Sequence, residues 1–189
     1  MSSWPEPGVL FSSGTLTTAG GKRRALFLDR DGVINVNHGY VHTADQTEWV
    51  PGIFEMCRAA AGAGLHLVVV TNQAGIARGY YSQEQFLEYT RWMHEQFESR
   101  SVPLAATYYC PHHPVFGIDD LRIECGCRKP KPGMILAAAD DLGLDLEHSV
   151  LVGDMATDLE AAEAAGVGAA FFVADAYADI ARVIDSAGH

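Results

Sequence analysis

The stretch Ala25-Leu26-Phe27-Leu28-Asp29-Arg30-Asp31-Gly32 decides how the chain is read. Four apolar residues run without alternation into two acids. A short continuous apolar run is a strand buried on both faces, and its polar end marks where the chain leaves the sheet. The shape recurs downstream. Leu65-His66-Leu67-Val68-Val69-Val70-Thr71 runs into Asn72-Gln73, and Ser149-Val150-Leu151-Val152-Gly153 runs into Asp154. Ala105 to Tyr109 and Val167 to Val173 complete the predicted strands.

Helices are predicted between the strands. Pro51-Gly52 opens one that runs to about Gly64. Ser82 to Arg100 is a second, with Ser82 and Gln85 as a capping box and Phe86, Tyr89, Met93 and Phe97 at helical spacing. Pro132 suits the first turn of a third, which stops at Gly143. Thr157 to Ala165 stops at Gly166, and Tyr177 to Ser186 is the last. This alternation predicts the α/β class: a single Rossmann-like domain, its mostly parallel sheet covered by helices on both faces. Residues 23–189 are assigned to that domain. Residues 1–22, rich in Ser, Thr, Gly and Pro, are expected to be an N-terminal tail or irregular lead-in. Little chain remains for a separate cap domain.

Composition narrows the function. The 189 residues are 48% apolar and 20% charged, with a formal net charge of −11. So acidic a chain is a poor binder of nucleic acid. No run approaches the ~18 apolar residues of a membrane span. The first residues lack a basic segment followed by an apolar one, so no signal peptide is expected and the cytoplasm is the predicted location. Cys57 falls on a helical pattern and reads as core. Trp49 and Trp92 read as packing residues.

Ligand sites in open α/β sheets form beyond the carboxyl ends of strands. There the sequence places Asp29 and Asp31, then Thr71, then Lys129, then Asp154 and Asp158. Singly each has an ordinary reading: a turn, a cap, a structural hydroxyl, a solvated charge. Together they suit phosphoryl transfer with a divalent metal. A carboxylate can attack phosphorus, a second can move the proton, and a third can help hold Mg²⁺. A hydroxyl and a lysine can stabilise the phosphoryl oxygens.

In this order the motifs resemble those of the haloacid dehalogenase (HAD) superfamily. Asp29-Arg30-Asp31-Gly32 looks like its first motif, Thr71 its second, Lys129 its third, and Asp154 with Asp158 its fourth. The likeness implies that Asp29 is the nucleophile and Asp31 the general acid and base. It also implies Mg²⁺ on Asp29, Asp154 and the Asp31 carbonyl. Four longer segments, 37–42, 71–79, 108–114 and 125–130, are similar to the branch that removes the 7-phosphate of D-glycero-D-manno-heptose 1,7-bisphosphate on the way to nucleotide-activated heptose. That likeness spans roughly 25–170 and implies substrate contact by Asn37, His38, Gly39, Tyr40, Asn72, Gln73, Ala74 and Arg128. Met155 departs from it, since the branch commonly has lysine there. The segment from Ala174 onwards is less similar.

Cys110-x-His112 and Cys125-x-Cys127 supply three thiolates and an imidazole, a closed tetrahedral set suited to structural Zn²⁺. The competing reading is free thiols and loop histidines without metal. The expected partner is a small phosphorylated sugar, handled by a monomer. Histidinol phosphate is the alternative substrate, and a non-catalytic phospho-ligand binding module the alternative class.

Overall fold

The computed structural model describes residues 8–11 and 23–188. Strand β1 (Gly8–Phe11) is followed by β2 (Arg24–Leu28), helix α1 (Ile53–Gly62) and β3 (Leu65–Asn72). Then come α2 (Ala74–Ala77), α3 (Gln83–Glu98), β4 (Leu104–Cys110) and α4 (Gly133–Leu142). The chain ends with β5 (Val150–Gly153), α5 (Ala156–Ala165), β6 (Ala169–Phe172), α6 (Val173–Ala178) and α7 (Ile180–Asp185). The strands form one sheet in the order β1-β4-β3-β2-β5-β6. Every pairing is parallel except β1 with β4.

The two-residue period of the strands divides the core between the two faces of the sheet. Leu26 and Leu28, with Leu65, Leu67 and Val69, pack under α1, α3 and the C-terminal helices. Ala25 and Phe27, with Val68, Val70 and Leu151, pack under α4 and α5. Both sets are buried, which is why these strands read as unbroken apolar runs. The predicted capping box on α3 is present: Gln85 N–H donates to Ser82 Oγ at 3.2 Å, and Ser82 N–H to Gln85 Oε1 at 2.8 Å. Trp49 stacks on Trp92 and meets Phe54 and Phe97, packing as expected.

Three features differ from the sequence reading. Gly8–Phe11, expected within an irregular lead-in, is an antiparallel edge strand registered on Ala106–Tyr109. The rest of that expectation, apart from Gly8–Phe11, lies outside the described residues. In place of one last helix from Tyr177 to Ser186 there are two: α6 begins earlier, at Val173, the residue expected to end the last strand, and Asp179 leaves helical geometry and caps α7 by accepting from Arg182 N–H at 3.0 Å. Helix α2, a single turn, was not expected. Among the described residues, the long connections 29–52 and 111–132 hold only single 3₁₀ turns, too little for a cap domain.

Candidate active site

Strand β2 sits where the chain reverses its direction of travel across the sheet: β3 and β4 lie to one side, β5 and β6 to the other. Such a switch point opens a crevice beyond the strand ends. Here it is a cleft of about 390 Å³ lined by Asp29, Asp31, Asn37, Gly39, Tyr40, Thr71, Asn72, Gln73, Ala74, Lys129 and Asp154, together with Tyr81, Met155 and Asp158.

Lys129 is the buried cation at the centre. Its Nζ donates to Asp29 Oδ1 at 2.7 Å and to the Val70 carbonyl at 2.8 Å, and lies 2.6 Å from Asp158 Oδ1. Burial works against the ammonium charge, but Asp29 and then Asp158 outweigh it and hold Lys129 above the usual lysine range. Burial pushes the Asp29 carboxyl up to about 7, against the pull of Lys129. Burial, with Asp158 adding to it, also raises Asp154.

Asp31 is gripped from three sides. The buried Arg30 guanidinium donates to Oδ2 at 2.7 Å and to Oδ1 at 3.0 Å. Asn35 donates to Oδ1 and Gln73 to Oδ2, each at 3.1 Å. Arg30 also bonds the Val41 carbonyl at 2.6 Å and lies over the rings of Phe86 and Tyr89. Thr71 accepts from Gln73 Nε2 at 2.8 Å. Asn72, expected to meet substrate, also holds the Lys129 backbone through both amide atoms.

His38 and Arg128 do not line the cleft. His38 pairs with Glu48 at 3.1 Å on the exposed loop, and Arg128 Nη1 donates to the His112 carbonyl at 3.2 Å. Asp158 belongs with Lys129 more closely than its place in the fourth motif suggested. It also accepts from Met155 N–H at 3.0 Å, which ties the start of α5 to the site. Tyr81 was missed: as one aromatic before a helix start, it carries no signal without its partner Gln73.

Carboxylate oxygens of Asp29, Asp154 and Asp158 all lie within 4.8 Å of one another. With Asp31 they make four carboxylates around two buried cations, Arg30 and Lys129. The surplus negative charge and the oxygen donor set fit a hard divalent cation such as Mg²⁺. Gly32 completes the cradle: a Cβ there would lie 2.3 Å from Asp154 Oδ2.

The second candidate centre is buried beside β4. Cys110 Sγ lies 3.5 Å from Cys125 Sγ and 3.3 Å from Cys127 Sγ, and Cys125 lies 3.2 Å from Cys127. His112 Nδ1 is 3.7 Å from Cys110 Sγ and 3.5 Å from Cys127 Sγ. Zn–S bonds of ~2.3 Å in a tetrahedron set sulfurs ~3.8 Å apart. Four soft donors converging at nearly that spacing fit zinc with no open position. Cys127 lies two residues before Lys129.

The HAD-hydrolase-like family pattern matches residues 126–180. The chain is 53% identical over 149 residues to D-glycero-beta-D-manno-heptose-1,7-bisphosphate 7-phosphatase of Vibrio cholerae, covering 79% of this chain and 80% of the relative. It is 48% identical over 166 residues to the corresponding alpha-heptose enzyme of Burkholderia mallei, covering 88% and 87%. The solved D,D-heptose 1,7-bisphosphate phosphatase of B. bronchiseptica, in complex with magnesium and phosphate, superposes with a TM-score of 0.68 at 33% identity, over 77% of this chain and 78% of that one. The order of motifs along the chain, their convergence at the switch point and these identities agree: the chain belongs to the D-glycero-D-manno-heptose-1,7-bisphosphate 7-phosphatases of the HAD superfamily.

Proposed function

We propose that the chain hydrolyses the 7-phosphate of D-glycero-D-manno-heptose 1,7-bisphosphate, leaving heptose 1-phosphate, a step toward nucleotide-activated heptose. The observation that carries this reading is the Lys129 ammonium, which pairs with Asp29 at 2.7 Å on a cleft lined by Thr71, Asp31 and Asp154.

Asp29 attacks phosphorus while the bond to the sugar oxygen breaks, and Asp31 gives its proton to that oxygen. An aspartyl phosphate remains on Asp29. Asp31 then takes a proton from water as the water oxygen attacks the phosphoryl phosphorus, which releases phosphate and restores Asp29. Lys129 and the Thr71 hydroxyl hold the phosphoryl oxygens throughout. Asp29, Asp154 and the Asp31 carbonyl would hold Mg²⁺, which supplies positive charge where negative charge gathers. Asn37, Gly39, Tyr40 and Ala74 line the space open to the sugar. Cys110, His112, Cys125 and Cys127 would hold structural zinc and brace the segment that carries Lys129. In this reading residues 23–189 are the phosphatase domain, acting as a monomer in the cytoplasm. No helix among the described residues is long and apolar enough to cross a membrane.

The test is phosphate release with Mg²⁺ from both anomers of heptose 1,7-bisphosphate and from histidinol phosphate, with Asp29→Asn alongside. Preference for a heptose anomer, lost in Asp29→Asn, is the expected result. Preference for histidinol phosphate overturns the substrate, and absence of turnover on all three overturns the activity.

A further inference from the structure

The cleft holds a hydrogen-bond chain that the steps above leave unused. Tyr81, which precedes α3, is buried and donates its hydroxyl to Gln73 Oε1 at 2.6 Å. The Gln73 amide nitrogen then donates to Asp31 Oδ2 at 3.1 Å and to Thr71 Oγ1 at 2.8 Å. The direction of this chain follows from chemistry. Both Asp31 oxygens already accept from Arg30 or Asn35, and in the ionised form they offer only acceptors, so the amide nitrogen faces Asp31 and the amide oxygen faces Tyr81. The reverse placement would set a carbonyl oxygen against the Asp31 carboxylate.

Thr71 gains an orientation from this. A hydroxyl has one proton and two lone pairs. Because Oγ1 already accepts from Gln73, its proton stays available to a phosphoryl oxygen. Asp31 is held by the same nitrogen, so one amide sets both groups relative to each other.

Tyr81 is itself fixed. Its ring stacks on His42 with centroids 4.5 Å apart, and His42 closes the loop that brings Asn37, Gly39 and Tyr40 to the cleft. Gly75 passes so close that a Cβ would fall 2.2 Å from the Tyr81 ring. A larger residue at 75 would displace the ring and its hydroxyl.

We propose that Tyr81 is a positioning residue for the reaction: its hydroxyl locks the Gln73 amide in the one orientation that sets Asp31 and the Thr71 hydroxyl toward the phosphoryl group. The inference rests on the phosphatase reading above. Tyr81 acts through Gln73, so its loss lowers turnover more than binding.

The experiment measures kcat and KM with heptose 1,7-bisphosphate for wild type, Tyr81→Phe, Gln73→Leu and the double variant, with thermal midpoint and zinc content as controls of folding. Wild-type turnover tests the phosphatase reading by itself, because an inactive wild type defeats that reading before Tyr81 is at issue. With an active wild type, Tyr81→Phe is expected to lower kcat about tenfold and leave KM within about twofold, the scale of one lost hydrogen bond. In the Gln73→Leu background, removal of the Tyr81 hydroxyl is expected to cost clearly less than in the wild type, since its link to the Gln73 amide is gone. Wild-type kcat in Tyr81→Phe, or losses that multiply in the double variant, would overturn the inference. Should Tyr81→Phe fail to fold, Gln73→Leu is read alone, and a kcat within about twofold of wild type overturns it.

Discussion

Asn72 and Lys129 clasp one another across 57 residues of sequence. Asn72 Nδ2 donates to the Lys129 carbonyl at 3.1 Å, and the Lys129 N–H donates to Asn72 Oδ1 at 3.0 Å. The end of β3 thus holds the backbone of the residue whose ammonium reaches Asp29. Asn72→Ala leaves both backbone groups without this partner, a loss of about 1–3 kcal/mol in stability. Because the effect on catalysis is one of placement, kcat is expected to fall about tenfold with KM little changed. Urea unfolding and steady-state kinetics check the two halves. A rise in KM at unchanged kcat would instead make Asn72 a simple substrate contact.

Gly32 guards the opposite wall of the site. It adopts φ +95°, and a Cβ there would lie 2.3 Å from Asp154 Oδ2. Gly32→Ala must displace either its own turn or the Asp154 carboxylate. The Mg²⁺ concentration for half-maximal activity is expected to rise about 10–100-fold, the usual scale for disturbing the support of a metal ligand. Titration of activity against Mg²⁺ measures it, and an unchanged midpoint would show that Asp154 needs no such room.

Zinc removal is expected to act on catalysis from a distance. Cys127 precedes Lys129 by two residues, and Gly133 N–H donates to the Gly126 carbonyl at 3.0 Å, so the metal loop runs directly into the start of α4. Cys125→Ser should lower zinc content and, by letting Lys129 drift, lower kcat on the order of 100-fold. Metal analysis and kinetics on the same preparation decide it. Full zinc and full activity together would disconnect the loop from the site.

Stability should carry the signature of a partly buried histidine. Burial pushes His94, whose Nε2 lies 2.8 Å from Thr107 Oγ1, down to about 4 from its ordinary 6.5. Between those values the unfolded chain binds a proton that the folded chain refuses, so stability rises with pH through that window and is lost on acidification. At pH 5 the proton that folded His94 refuses costs the fold on the order of 2 kcal/mol relative to neutral pH. His94→Gln, which keeps a partner for Thr107 but does not titrate, is expected to flatten the stability profile between about pH 6.5 and 4. Denaturant unfolding at several pH values tests this, and parallel profiles for variant and wild type would rule it out.

The segments legible from sequence are those whose signals are local. The unbroken apolar runs of β2, β3 and β5 announce burial on both faces, and the acids and hydroxyl that end them must emerge on one edge of a parallel sheet. The Ser82–Gln85 box announces the start of α3 in the same way. Strand β1 is different. Gly8–Phe11 has no run long enough to read alone, and becomes a strand because β4 offers a free edge.

By itself the sequence determined the order of the motifs, the types of the donors and the side of the sheet where they gather, since each depends on residues near one another in the chain. Tertiary structure decided which partner each polar group takes. Asn72 could have faced substrate alone, but it also meets the Lys129 backbone. Arg128 turns to the His112 carbonyl, and His38 to Glu48, both outside the cleft lining. Asp158 and Tyr81 take their places on the cleft wall beside Lys129 and Gln73, partners far from them in the chain or invisible in its pattern. Buried polar groups must be satisfied, and the group that satisfies them is chosen by packing across the whole molecule.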